Sequence, residues 1–202
     1  MTATDIGVAV DTIMKTPQPD NPSKPSLSKP SLSKPIGPWS IGIGLRSPHH
    51  QRILDQKPAI PWLELHSENF FNPRTRQRRQ LDEIADSYAL SFHGIGLSLG
   101  STDPLNQHHL QQLKALIDEY RPALVSEHLS WSSNQGRYFN DLLPMPYTDE
   151  SLEHFSDRVK TVQDYLGRQI LVENPTAYLQ FNESTYREWE FLAEVQHRSG
   201  CR

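Results

Sequence analysis

Five short apolar runs alternate with amphipathic segments from residue 41 onward, and this alternation restricts the fold more than any other feature of the sequence. The runs cover residues 41–45, 62–65, 90–92, 124–126 and 170–172. Parallel strands are covered by helices on both faces, so they read as continuous apolar runs. Strands that recur with a helix between them, in units of about 30 residues, indicate βαβ connections. The sequence therefore predicts an α/β protein with a parallel sheet.

Helix-starting signals precede each amphipathic segment. They lie at Ser47-Pro48, Asn72-Pro73, Asp103-Pro104, Thr148 and Thr185. Short polar side chains cap helix N-termini, and proline fits the first turn. Gly167 and Gly200 are placed to end the last two helices. These signals predict five βα units, and residues 138–147 read as a long connection after the fourth strand.

Two parallel architectures fit this pattern, a doubly wound sheet and a TIM-type (β/α)8 barrel. No dinucleotide-binding or P-loop glycine pattern follows any run, and polar candidate ligands follow consecutive runs. A doubly wound sheet gathers ligands at one switch point, whereas every strand of a barrel ends at the same mouth. The sequence therefore favours the barrel. Because five units do not close eight strands, we expect two open parallel edges.

Composition changes near Trp39. Residues 16–38 hold seven of the 16 prolines and a near-repeat of Lys-Pro-Ser-Leu-Ser. Such a segment has too little apolar surface to offset its chain entropy. We predict a disordered tail over residues 1–38 and the N-terminal part of a barrel domain over 39–202. A proline-rich docking segment is the alternative for the tail.

Charge and cysteine content exclude several classes of protein. The chain has a formal net charge of −4 and one cysteine, Cys201, so a disulfide framework is excluded and a reducing, cytoplasmic location is expected. No stretch approaches the roughly 18 apolar residues of a membrane span. Residues 74–79 form the only dense basic patch, which reads as a solvated helix face. We therefore expect neither a nucleic-acid nor a membrane partner.

Metal-binding residue types lie at the ends of the predicted strands. They are His66, Glu68, Asn69, His93, Glu127, Glu173 and Asn174. For any one of them a structural role stays open, as a core histidine or a salt-bridged carboxylate. As a set at successive strand ends, they predict a mixed nitrogen and oxygen site for Fe, Mn or Zn.

Seven segments resemble the multinuclear non-heme iron enzyme family, which includes the methanobactin oxazolone-forming enzyme and was long catalogued as a domain of unknown function. They are IGIGLR (41–46), WLELHSEN (62–69), SFHG (91–94), LVSEHLSW (124–131), YFNDLLP (138–144), LVENP (171–175) and EWEFL (188–192). The resemblance covers residues 39–201. It implies a TIM barrel that holds two or three iron ions, activates dioxygen and oxidises cysteines of a ribosomal precursor peptide, which a separate recognition partner protein delivers.

The resemblance also implies a ligand set. His66, His93, Glu127 and Glu173 match first, and Glu68, Asn69, His128 and Asn174 come next. Glu127 would be a bridging carboxylate between two ions. The catalytic residue stays unassigned. Glycines at positions 94, 96 and 100 allow the backbone to approach the site closely, and plain loop flexibility is the alternative.

The chain departs from the family at its C-terminal end. Family members continue past residues 199–201 into another strand with an Asp-x-Asn-Asn motif and later supply His and Asp ligands, whereas this chain stops at Arg202. We therefore expect a truncated member that binds iron incompletely and turns over little. Two alternatives stay open. One is a Mn- or Zn-dependent barrel enzyme of the xylose isomerase or endonuclease IV type, and the other is a non-catalytic binding remnant.

Overall fold

The computed structural model describes residues 34–37 and 40–202. Nearly all of the predicted tail lies outside the described residues, so its disorder and its boundary at residue 39 stay predictions. The strands are β1 (Ile43–Gly44), β2 (Trp62–His66), β3 (Ala89–His93), β4 (Leu124–His128), β5 (Trp131–Asn134), β6 (Arg137–Leu143) and β7 (Leu171–Glu173). The α-helices are α1 (His50–Gln56), α2 (Arg76–Ala85), α3 (Gln107–Tyr120), α4 (Asp149–Leu166) and α5 (Glu188–Ser199). Two short 3-10 helices cover Ser47–His49 and Ser67–Phe70.

The main sheet has the strand order β1-β2-β3-β4-β7, and all of its neighbours are parallel. A helix joins each strand to the next, so the predicted parallel α/β arrangement is confirmed. A doubly wound sheet reverses its order at a switch point, and the five described strands run without such a reversal. Sequential order is what a (β/α)8 barrel requires. Closure of the barrel stays a prediction.

The strand register decides which side chains share a face of the sheet. His66 pairs with His93, and His128 pairs with Glu173. His93 pairs with Ser126, which lies two residues before His128 and therefore on the same face. These histidines and Glu173 consequently occupy one face, which we call the mouth face.

The other face of the sheet packs against the helices. Its fully buried side chains include Leu63, Leu65 and Phe92, and each gains about 1.5–3 kcal/mol from burial. Every third or fourth residue of α3 and α4 joins this core, as at Leu113 and Val159. Among the described residues, none of the helices has both the length and the apolarity needed to cross a bilayer.

The helix ends agree only partly with the predicted signals. The Thr148 side chain accepts a hydrogen bond from the Ser151 N–H and caps α4, and Gly167 and Gly200 end α4 and α5 with φ of 68° and 71°. These predictions are confirmed. The other four predicted caps are wrong: the first 3-10 helix begins at Ser47 itself, with Pro48 in its first turn as predicted, and α2, α3 and α5 begin later. The observed caps are Arg46 for the first 3-10 helix, Thr75 for α2, Asn106 for α3 and Arg187 for α5.

Local contacts account for two of these differences. Asn72 accepts a hydrogen bond from the Arg74 N–H at 3.0 Å and forms a turn of its own. The Asp103 carboxylate accepts hydrogen bonds from the N–H groups of Gln135 and Gly136, at 2.7 and 3.0 Å. Both side chains therefore serve turns and not helix ends.

The Asp103 contacts belong to a hairpin that the sequence reasoning missed. The strands β5 and β6 pair antiparallel and are joined by Gln135 and Gly136, whose φ angles are 51° and 73°. Two positive φ angles in a two-residue loop are typical of a type I′ turn. Ser98 holds the base of the hairpin, since its Oγ accepts from the Ser132 and Ser133 N–H groups. The hairpin follows β4 and stands at the C-terminal ends of the parallel strands.

Candidate metal centre

Three ligands converge on the mouth face, and we call His93, His128 and Glu173 the mouth group. One potential ligand atom from each of them lies within 4.8 Å of the other two. The Nε2 atoms of His93 and His128 are 3.2 Å apart. The His66 ring lies edge-on to His93, with 5.7 Å between ring centroids. Four of the residues named from the sequence are thus brought together at the ends of β2, β3, β4 and β7.

The surroundings of the mouth group suit metal ligation. Burial, as the largest cause, lowers the pKa of His93 and of His128 and favours the neutral imidazole that metals bind. The Nδ1 atom of His93 lies 2.7 Å from the Ser126 Oγ and 3.8 Å from the Glu173 Oε2, while its Nε2 faces His128. The side chain of Glu173 is 58% exposed. The group is therefore fixed on its inner side and open on its outer side.

A second cluster lies on the helix-facing side of the sheet, and we call Glu68, His109 and Glu127 the sheet–helix group. One potential ligand atom from each again lies within 4.8 Å of the others. Glu127 is only 2% exposed. Its burial, together with the nearby Glu68 carboxylate, raises its pKa well above the ordinary value.

Hydrogen bonds fix the orientation of the Glu68 side chain in the sheet–helix group. Its Oε1 accepts hydrogen bonds from the N–H groups of Ile95 and Gly96, at 2.9 and 3.0 Å, and lies 3.5 Å from the His109 Nε2. Burial alone would raise the pKa of Glu68, but His109 and the Ile95 N–H outweigh it, so the pKa is lowered. Glu68 is therefore held as a carboxylate against the loop that follows β3.

The glycines after β3 allow the close approach that the sequence suggested. A Cβ on Gly94 would lie 1.8 Å from the Glu127 Oε1, and one on Gly96 would lie 2.6 Å from the His109 Cε1. A Cβ on Gly100 would meet the Ser130 carbonyl oxygen at 2.9 Å. Steric room accounts for these glycines better than loop flexibility does.

The remaining predicted residues lie elsewhere. Asn69 and Asn174 are exposed, and the Asn174 amide donates a hydrogen bond to the Glu188 carboxylate. Glu127 leaves β4 on the face opposite His128, so the structure does not bring it to the mouth group as a bridging carboxylate.

Sequence reasoning missed His109. The available signal was its position on the apolar face of α3, four residues before Leu113. A histidine on such a face is a common core residue, so the signal is weak without the fold.

Comparison with known proteins identifies related sequences over the same region. The family described as "RiPP precursor modification enzyme MbnB/TglH/ChrH" matches residues 40–202. A UPF0276 protein of Vibrio parahaemolyticus is 56% identical over 162 residues, which is 80% of this chain and 56% of that protein. A UPF0276 protein of Psychromonas ingrahamii is 52% identical over 80% of this chain and 57% of its own length. The chain spans a little more than half the length of these relatives.

Proposed function

Because this chain belongs to the MbnB/TglH/ChrH family of RiPP precursor modification enzymes, we propose that it acts on a ribosomally made precursor peptide at an iron centre. The observation that carries the proposal is the donor set of the mouth group. Two imidazole nitrogens and one carboxylate oxygen are the ligands that non-heme Fe(II) oxygenases use, with coordination positions left open. His93, His128 and Glu173 supply this set within 4.8 Å.

The residues of the mouth group have separable roles in this proposal. His93 and His128 would hold the ion through Nε2, and the Ser126 Oγ, 2.7 Å from the His93 Nδ1, would fix the tautomer by accepting the Nδ1–H. Glu173 would complete the ligand set from the exposed side. His66 would be a further ligand or a side chain that lines the site. Iron held there, one of the two or three ions that the family resemblance implies, would supply the chemistry by which dioxygen oxidises a cysteine side chain.

The surroundings of the mouth group support a peptide substrate. The hairpin β5–β6 follows β4 and the segment 174–187 follows β7, so both begin at the C-terminal ends of strands that carry the mouth group, where barrels bind their substrates. Large side chains on both are exposed, such as Tyr138 and Tyr178. We propose that the precursor peptide reaches the iron along this side, delivered by a recognition partner protein, and that these strands form part of a (β/α)8 barrel.

The test is anaerobic loading of the chain with Fe(II), followed by elemental analysis and exposure to nitric oxide as a stand-in for dioxygen. We expect the EPR signal of a non-heme iron nitrosyl. H93A and H128A should lose it, while H108A, which changes an exposed histidine of α3, should keep it. An Fe-loaded chain that gives no nitrosyl signal would contradict the proposal and favour a Mn- or Zn-dependent isomerase or hydrolase.

A further inference from the structure

Strand alternation places Glu127 of the sheet–helix group on the face of the sheet opposite the mouth group. Glu127 and His128 are consecutive in β4, so their side chains leave the strand on opposite faces. His109 belongs to α3, which covers the face on which Glu127 lies. One ion therefore cannot be shared between Glu127 and the mouth group without disrupting β4.

Three buried ligand atoms in the sheet–helix group lack hydrogen-bond partners among the residues that the structure describes. They are the Glu68 Oε2, the Glu127 Oε1 and the His109 Nε2, whose 3.5 Å contact with the Glu68 Oε1 is an ion-pair distance without hydrogen-bond geometry. An unsatisfied buried polar atom costs about 1–3 kcal/mol. Three such atoms on residues whose ligand atoms converge within 4.8 Å indicate a missing common partner.

The chain holds these atoms in place from several sides. The N–H groups of Ile95 and Gly96 engage the Glu68 Oε1, which leaves Oε2 free. The Phe71 ring packs edge-on against the His109 imidazole, with 5.0 Å between ring centroids. The absence of a Cβ on Gly94 makes room for the Glu127 carboxylate.

Charge specifies the kind of partner. Two carboxylates and one imidazole, shielded from water, are neutralised by one divalent cation, whereas an anion or a neutral apolar group would leave the carboxylates uncompensated. Carboxylate oxygen and imidazole nitrogen suit Zn, Mn and Fe(II). We propose that Glu68, His109 and Glu127 bind one divalent transition-metal ion at a position separate from the mouth group.

This ion has a structural role. It ties α3 to the end of β4 and to the 3-10 helix Ser67–Phe70, which carries Glu68. It is also enclosed more completely than an ion at the mouth group, where Glu173 is largely exposed. The inference does not depend on the activity proposed above, since none of its three ligands belongs to the mouth group.

The test uses Zn²⁺ alone, titrated by calorimetry into the 202-residue chain after treatment with EDTA, with elemental analysis of the bound metal. We expect H109A and E127Q to bind one equivalent fewer than the wild type. H93A should keep the ion that H109A loses. The matched control H108A, the exposed neighbour of His109 on α3, should bind as the wild type does.

The outcomes separate this inference from the proposed function. Unchanged stoichiometry in both H109A and E127Q would overturn it, as would complete loss of metal in H93A and H109A alike, which would mean one shared site. If the wild type binds Zn²⁺ at the sheet–helix group but not at the mouth group, the proposed function is contradicted and the separate ion is supported. If H109A fails to fold by circular dichroism, E127Q decides, since Gln keeps the size of Glu. Zn²⁺ should also raise the melting temperature of H93A, in which the sheet–helix group is intact, but not that of the double variant H93A/E127Q.

Discussion

Glu127 and His128 illustrate at the residue scale what the sequence can and cannot assign. Both were named as metal ligands, yet alternation along β4 sends them to opposite faces of the sheet. Alternation was available from the sequence, but the predicted strand ended at Ser126, whereas β4 continues to His128. His109 could not be added, because only the packing of α3 against the sheet brings it to Glu68 and Glu127.

Burial of Glu127 predicts how stability depends on pH in the metal-free chain. Its pKa is raised in the folded state, so the folded chain binds more protons than the unfolded chain above the unfolded pKa of 4.5. The contribution of this group to the free energy of unfolding is therefore lost as pH rises from about 4.5 toward the folded pKa.

The free energy of unfolding of the wild type should lose this contribution between pH 5 and pH 7.5, whereas E127Q should not, because Gln cannot ionise. The stability of E127Q relative to the wild type should therefore increase by about 1 kcal/mol or more between these two pH values. Urea unfolding of both proteins in EDTA at the two pH values measures this difference. A pH-independent difference between them would contradict the burial of an ionisable Glu127.

Gly94 gives a steric prediction at the same scale. A Cβ there would overlap the Glu127 Oε1 at 1.8 Å, so G94A has to displace an enclosed side chain. We expect a loss of about 2–3 kcal/mol in the free energy of unfolding. G44A is the matched control, since beyond its chain neighbours its Cβ would come no closer than 3.5 Å to another atom, in ordinary contact with the Arg46 side chain. Equal stability of G94A and G44A in chemical denaturation would show that the Glu127 carboxylate does not sit against Gly94.

At the scale of elements, the apolar runs placed all five parallel strands, while the helix starts were less accurate. Asn72 and Asp103 are residue types that commonly cap helices, but both are engaged in turns, and each helix is capped three residues later, at Thr75 and Asn106. The sequence pattern did not predict the β5–β6 hairpin, because Ser132 and Ser133 are polar although they are buried, and so they break the apolar alternation expected of a strand. Its Gln135-Gly136 turn is a weaker hairpin signal than Asn-Gly.

The helix caps give a paired prediction. The Thr148 Oγ1 accepts a hydrogen bond from the Ser151 N–H at 3.2 Å and caps α4, so T148A should lower the free energy of unfolding by about 1 kcal/mol. Thr185 has capping-box spacing to Glu188, but α5 is capped at Arg187, and the Thr185 side chain is exposed. T185A should therefore change stability by less than about 0.5 kcal/mol. Thermal or urea unfolding compares the two, and a larger effect of T185A would contradict the observed start of α5.

At the scale of the whole molecule, the sequence predicted the parallel sheet and its order because both follow from local pattern and connection length. Local pattern does not determine whether the sheet closes into a barrel, because closure depends on contacts between the first and last strands of a sheet. Arg202 shows the local geometry at one edge, where its N–H donates to the Ile170 carbonyl at 3.0 Å and its carbonyl accepts from the Val172 N–H at 2.7 Å. This is the pattern of a parallel neighbour of β7. The proposed (β/α)8 barrel requires such a parallel neighbour beside β7.

The division of the chain near residue 39 gives the last prediction. The hydrophobic core of the described residues is built from side chains between Leu45 and Cys201, and residues 16–38 are rich in proline and poor in apolar side chains. A variant that begins at Lys34 keeps the Lys34 contact with the Asp86 carbonyl. Removing residues 1–33 should therefore change the free energy of unfolding by less than about 0.5 kcal/mol and leave the Zn²⁺ stoichiometry unchanged. A lower urea m-value in the shortened chain would contradict this prediction, because m scales with the surface exposed on unfolding and would reveal that the removed segment packs on the domain.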